Sequence, residues 1–158
     1  MRMSKNTYGN SPLHDAAFAG DVYKIRELIE EKADVNVCNK DDETPLHLAT
    51  VRSQTQSVKL LLAAGANANA ENKFGNTPLH NAAGCGNAAI VSILIDDDAF
   101  VNVQNAKGLS PLHVAAKKGF VKVVQYLIHH GADVQLVSSQ GQTAFDLAPT
   151  EEMKTWLL

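Results

Sequence analysis

Apolar residues recur along this chain in two alternating phrases. In Ser110–Gln142, Leu112, Ala115 and Ala116 are followed, past Gly119, by Val121, Val124, Leu127 and Ile128. The second set is spaced three and four apart, so it lies along one face of a helix. The first set predicts a short helix over Leu112–Lys118, with Ser110 placed to cap it and Pro111 suited to its first position. Gly119 breaks that helix, as Gly20 and Gly86 do elsewhere, and Gly131 permits a left-handed C-cap to the second. Ala132–Gln142 lacks a helical period and reads as an extended loop with a turn at Gly141. The unit is helix, turn, helix, then hairpin-like loop.

The unit repeats every 33 residues: SPLHDAAFAG opens at Ser11, TPLHLATVRS at Thr44, TPLHNAAGCG at Thr77, SPLHVAAKKG at Ser110 and TAFDLA at Thr143. A fixed period of this length marks an array of stacked units. The boundaries expected within a single domain, 1–158, are a lead-in at 1–10, repeats at 11–43, 44–76, 77–109 and 110–142, and a truncated capping repeat at 143–158. Leu13, Leu46, Leu79 and Leu112 form one column; Ala16, Ala49, Ala82 and Ala115 form another. Ile25, Val58, Val91 and Val124, and Leu28, Leu61, Leu94 and Leu127, recur on the second helix. A lone unit has no partner for these faces, so stability must come from nearest-neighbour interfaces. Lys24 and Glu27 replace apolar residues of later units, as an end facing water requires, and Trp156-Leu157-Leu158 are expected to close the other end. Arg52-Ser53 stands where sibling units have a glycine turn, and Lys32 and Asp98 stand where Gly65 and Gly131 cap a helix.

The TPLH phrases (Thr44–His47, Thr77–His80), the paired alanines and GADV (Gly131–Val134) resemble the ankyrin repeat family over nearly the whole chain. The resemblance implies an all-α solenoid of stacked helix-turn-helix units whose hairpin-like loops project to form a concave face. It implies that His14, His47, His80 and His113 are structural, each tying its repeat to a neighbour's loop. It also implies a non-enzymatic protein–protein interaction module, an adaptor or targeting domain, that engages its partner through loop tips and first helices. Asp34-Val35-Asn36 matches the context in which loop asparagines of some family members are hydroxylated, which makes Asn36 a candidate modification site.

Composition narrows the alternatives. No apolar run approaches a membrane span, and Met1–Asn10 lacks the apolar stretch of a signal peptide. Cys38 and Cys85 form no CxxC pair, and no N-x-S/T acceptor occurs, which points to an intracellular setting, cytoplasmic or nuclear. A net charge of −3 argues against a phosphate-binding surface, so nucleic acid is disfavoured as a partner. A monomer is expected. The charge is nevertheless uneven: residues 1–43 hold six basic and nine acidic side chains, whereas 99–142 hold four lysines against Asp133 alone.

No residue set supports catalysis. Gly84, Gly86 and Ala89 imitate a dinucleotide-binding fingerprint, but no strand is predicted before them. The four periodic histidines lie too far apart for one coordination sphere, and Asp96-Asp97-Asp98 lacks the spaced ligands and glycine of a calcium loop. Neither an enzyme, a cofactor nor a metal is expected.

Projecting the repeat phase onto the surface places Tyr8, Asp41, Phe74, Lys107 and Gln140 at the loop tips. Beside them come Asn10, Glu43, Asn76, Leu109 and Gln142, with Phe18, Val51, Arg52, Gly84, Cys85, Lys117 and Lys118 on the first helices. The candidate partner-binding set is Tyr8, Asp41, Glu43, Arg52, Phe74, Asn76, Lys107, Leu109, Lys117 and Lys118. Exposed aromatics and arginines frequently anchor partners. Two rival readings are a stoichiometric inhibitor of a partner enzyme such as a kinase, and nucleic-acid binding through the fourth repeat's lysines.

Overall fold

The computed structural model describes residues 5–158. The described residues form helices and turns, with no strand among them. Four helix pairs follow in order: α1 (Pro12–Ala19) with α2 (Val22–Glu30), α3 (Pro45–Val51) with α4 (Thr55–Ala63), α5 (Pro78–Cys85) with α6 (Ala88–Asp96), and α7 (Pro111–Lys118) with α8 (Val121–His129). A shorter pair, α9 (Ala144–Leu147) and α10 (Glu151–Trp156), ends the chain. First helices pack on first helices from α1 to α9, and second helices on second helices from α2 to α10. The architecture is an all-helical solenoid.

Each first helix starts as its sequence dictates. The hydroxyls of Ser11, Thr44, Thr77 and Ser110 accept from the backbone N–H of the histidine three residues on, and proline fills the first position. Behind these caps the periodic leucines and valines are fully buried, and the alanines beside them let successive first helices approach. Burying one such aliphatic side chain is worth about 1.5–3 kcal/mol, and here the cover comes from the adjacent pair. Ser57 stands in the column of Ile90 and Val123; it is the one buried side-chain polar group without a hydrogen-bond partner among the described residues.

The two ends are finished differently. Lys24 and Glu27 pair at 2.7 Å on the exposed side of α2. At the far end, Met153 and Leu157 are the buried closing residues, while Trp156 is 48% and Leu158 87% exposed. Leu157 thus closes the core as its sequence suggests, but Trp156 and Leu158 do not: Met153 on α10 and Leu157 at its C-cap are four apart and share a side, which turns Trp156 away from the core.

Left-handed backbone recurs in three columns, mostly at glycine. Asp42, Ser53, Lys32 and Asp98 hold the same conformation without being glycine, with φ of 58°, 55°, 65° and 63°. Repeat two therefore makes the same turn at Ser53 as its siblings. Gln54 N–H donates to the Ala49 carbonyl at 2.9 Å, as Asp21 does to Ala16 and Phe120 to Ala115. The turn closes on carbonyls of its own α3, Ser53 N–H on Thr50 and Gln54 N–H on Ala49, without a glycine.

Non-glycine residues in this region carry a cost that glycine avoids. Lys32→Gly and Asp98→Gly should each raise stability by roughly 0.5–1 kcal/mol, the relief of left-handed strain less glycine's entropy. Urea midpoints check this, and a loss of stability in either variant would contradict it.

Candidate protein-binding face

The loop tips are built by a column of asparagines that the sequence reading did not single out. Asn39 Oδ1 accepts from the N–H groups of Asp41 and Glu43, both at 2.9 Å. Asn72 does the same for Phe74 and Asn76, and Asn105 for Lys107 and Leu109, all at 3.0 Å. Asn6 serves Tyr8 and Asn10 likewise, and Ser138 is the weaker fifth member at 3.3 Å. A short side chain that satisfies the N–H groups two and four residues on folds the chain into a tight tip. The 33-residue spacing of these asparagines was the available signal.

Each tip is stitched to the next. The carbonyls of Tyr8, Asp41, Phe74 and Lys107 accept from the N–H of Lys40, Lys73, Ala106 and Ser139, at 3.0–3.1 Å. A Cβ at Gly75 would lie 2.9 Å from the Ala106 nitrogen, so glycine is needed for that approach. Lower in the loops, Asn36, Asn69 and Asn102 each donate to a carbonyl and accept an N–H from the following unit. Asn36 is exposed, but both ends of its amide are engaged in this bridge. In the same way Asp98 contributes its backbone carbonyl, to Asn69, while the carboxylates of Asp96–Asp98 stay in solvent.

The periodic histidines form a second ladder. Nε2 of His14, His47, His80 and His113 lies 2.8–3.0 Å from the carbonyls of Glu43, Asn76, Leu109 and Gln142. Nδ1 of each faces the backbone N–H of its own Ser or Thr, at 3.0–3.1 Å. A carbonyl can only accept and an N–H can only donate, so the proton must sit on Nε2 and Nδ1 must be bare. The rings are therefore neutral, and burial lowers the pKa of His14, His47 and His80. Asp146 takes this place in the last unit: its Oδ2 accepts from the Thr143 N–H at 2.9 Å and hydroxyl at 3.0 Å, which lowers its own pKa. It has no proton to donate onward. His129 and His130 lie elsewhere, ring centroids 5.2 Å apart with His130 stacked on Tyr126, and no cluster of three metal-ligating side chains exists among the described residues.

The candidate binding residues separate into two groups. In the first, side chains engage one another. Lys73 pairs with Asp41 and holds its ammonium 5.1 Å from the Phe74 ring centroid. Glu43 accepts from Asn39 at 3.2 Å, and the Arg52 guanidinium lies 4.8 Å from the Phe18 ring centroid. Tyr8, 73% exposed, stands apart at the first tip.

The second group surrounds two hollows where loop tips meet first helices. Asn76, Lys107, Leu109 and Lys118 line one of about 350 Å³, with Val51 and Val114. Lys107, Leu109 and Lys117 line the next, of about 360 Å³, with Leu147 and Gln140. Lys107 and Leu109 belong to both and form the ridge between them. Tyr8, Asp41, Glu43, Arg52 and Phe74 line neither. The first hollow owes its depth to Gly84, which supplies no side chain where the same helix position carries Phe18, Val51 and Lys117 in the other repeats.

No helix among the described residues is long and apolar enough to cross a membrane. The family model described as ankyrin repeats, in three copies, matches residues 2–72 and 54–138. A search of curated proteins finds no match. Ankyrin repeats are generally modules of protein–protein interaction. With the matched residues spanning most of its length and each periodic histidine tying its first helix to the last loop residue of its own repeat, the chain belongs to the ankyrin-repeat family.

Proposed function

We propose that this chain is an adaptor or targeting module, without chemistry of its own, that binds a protein partner on the face formed by loop tips and first helices. One observation carries the reading. Positions pointing away from the core change chemistry from unit to unit, while the buried columns behind them hardly vary. One helix position runs Phe18, Val51, Gly84, Lys117, and the tip runs Asp41, Phe74, Lys107, Gln140. A solenoid that keeps its scaffold constant and varies one face presents a composite surface, as binding a macromolecule requires.

The test is affinity capture from cell extract with the wild type beside Phe74→Ala/Lys118→Glu. Both side chains are exposed, so the variant should fold normally. A protein retained by the first and at least tenfold depleted on the second supports the reading. Equal retention by both would move the partner to the second helices or the ends.

A further inference from the structure

The lysines around the two hollows lack counter-charges. The ion pairs among the described residues are Lys24–Glu27, Lys73–Asp41 and Lys154–Glu151, which leaves Lys107, Lys117 and Lys118 unpaired. Neither hollow has an Asp or Glu in its lining. In a chain whose net charge is −3, three free ammonium groups around one ridge make a local site of opposite sign. Between them the walls are aliphatic: Val51, Leu109 and Val114 in one hollow, Leu109 and Leu147 in the other.

We infer that the partner presents to this face an extended acidic segment bearing two aliphatic side chains about three residues apart, one for each hollow; this rests on the binding-face reading above. The spacing comes from the scaffold. Neighbouring helices pack about 8–10 Å apart. A polyproline-II segment, with three residues per turn and a rise of about 3.1 Å each, covers that distance in about three residues and returns its side chain to the same face. Lys107 on the ridge, flanked by Lys117 and Lys118, then faces carboxylates between and beside the two anchors.

The segment's own backbone also finds partners. The side-chain amides of Asn81, Gln140 and Gln142 make no hydrogen bond within the described residues, yet they line these hollows and can serve the unpaired N–H and C=O groups of such a segment. Nucleic acid is the poorer fit, because no Phe, Tyr or Trp lines either hollow to stack a base.

Two variants separate the charge from the cavity. Lys107→Gln/Lys118→Gln neutralises exposed side chains without touching the core. Gly84→Val fills the first hollow. Valine already occupies the equivalent position at Val51, and the new Cβ would meet only the half-buried Val114 methyl, at 3.3 Å. Circular dichroism verifies that both remain folded.

The experiment selects a displayed random-peptide library on the wild-type protein, then titrates labelled synthetic copies of the enriched peptides by fluorescence anisotropy. Expected are acidic peptides with paired aliphatic residues. Their affinity should fall about tenfold or more in each variant, and amide-for-carboxylate changes in the peptide should cost less once the lysines are neutralised. Basic or uncharged peptides that still lose affinity on Gly84→Val would overturn the acidic segment and leave the binding face standing. Peptides indifferent to Gly84→Val, the lysine pair and Phe74→Ala would overturn both. Failure to enrich anything over a Gly84→Val control, or displacement of the peptides by a single-stranded RNA oligonucleotide at physiological salt, would also overturn the inference.

Discussion

Replacing His47 with alanine should cost the array roughly 2–4 kcal/mol, the largest single effect expected outside the leucine columns. Two losses combine. The buried Thr44 N–H forfeits its Nδ1 partner, and an orphaned buried polar group costs about 1–3 kcal/mol. The Asn76 carbonyl loses Nε2–H at 2.9 Å but keeps the Asn72 N–H at 3.0 Å, so that loss is an ordinary hydrogen bond worth about 0.5–1.5 kcal/mol. The damage should be local, because the broken bond ties α3 to Asn76, the last loop residue before α5, at the entry to repeat three, and stability in such arrays is a sum of neighbour terms. Hydrogen exchange should accordingly show protection falling on both sides of that entry. In His113→Ala, by contrast, the bond lost ties α7 to Gln142, the residue leading into the short final unit, so fraying should concentrate in residues 143–158. Uniform loss across all units in both variants would show that the ladder does not divide the array as described.

Mild acid should destabilise the protein well before its carboxylates titrate. His14, His47 and His80 have pKa values held below the ordinary 6.5, mainly by burial, with the bond to the next loop's carbonyl opposing the shift. The unfolded chain therefore binds more protons than the folded one in the window from about 6.5 downward to the folded values. Stability should be complete above about pH 6.5 and fall as pH drops below it. Protonation would place hydrogen on Nδ1, directly against the N–H and hydroxyl groups of Ser11, Thr44 or Thr77. Urea midpoints from about pH 7.5 to about pH 5 measure the slope, and His47→Ala should flatten it by removing one of the coupled sites. A midpoint constant over that range would overturn the assignment of the proton to Nε2. Asp146 contributes separately and lower: its depressed pKa stabilises the fold above the ordinary carboxylate value and ceases to do so as pH falls through its folded value.

Helix starts were legible in the sequence because their causes are local. A Ser or Thr followed by Pro and, three residues on, His is sufficient to place α1, α3, α5 and α7. The buried columns followed from the period alone. The turn at Ser53 was not legible, because serine carries no preference for the left-handed backbone it adopts there. The roles of Trp156 and Leu158 were misjudged because hydrophobicity does not say which side of a six-residue helix meets the core. For the proposed binding face, the repeat phase groups residues on one surface but does not give its relief. Asp41 is taken up by Lys73 and Glu43 is held by Asn39, whereas Lys107, Lys117 and Lys118 have no ion-pair partner among the described residues; that division depends on how tips and first helices stack. Gly84 shapes the first hollow by lacking a side chain, an effect visible only once its neighbours are in place.

The histidine ladder runs in one direction. Every full unit carries the donor near its start and the carbonyl that receives it at its last residue, so the bond closes within one period. A stretch of one period can be duplicated or deleted in frame without stranding either group. Removal of half a unit strands whichever group remains. The number of repeats is thus a trait that gene duplication can change in a single event, lengthening or shortening the surface with no compensating mutation. The final unit differs: with an acceptor at Asp146 where the others keep a donor, it cannot supply a forward bond of this kind.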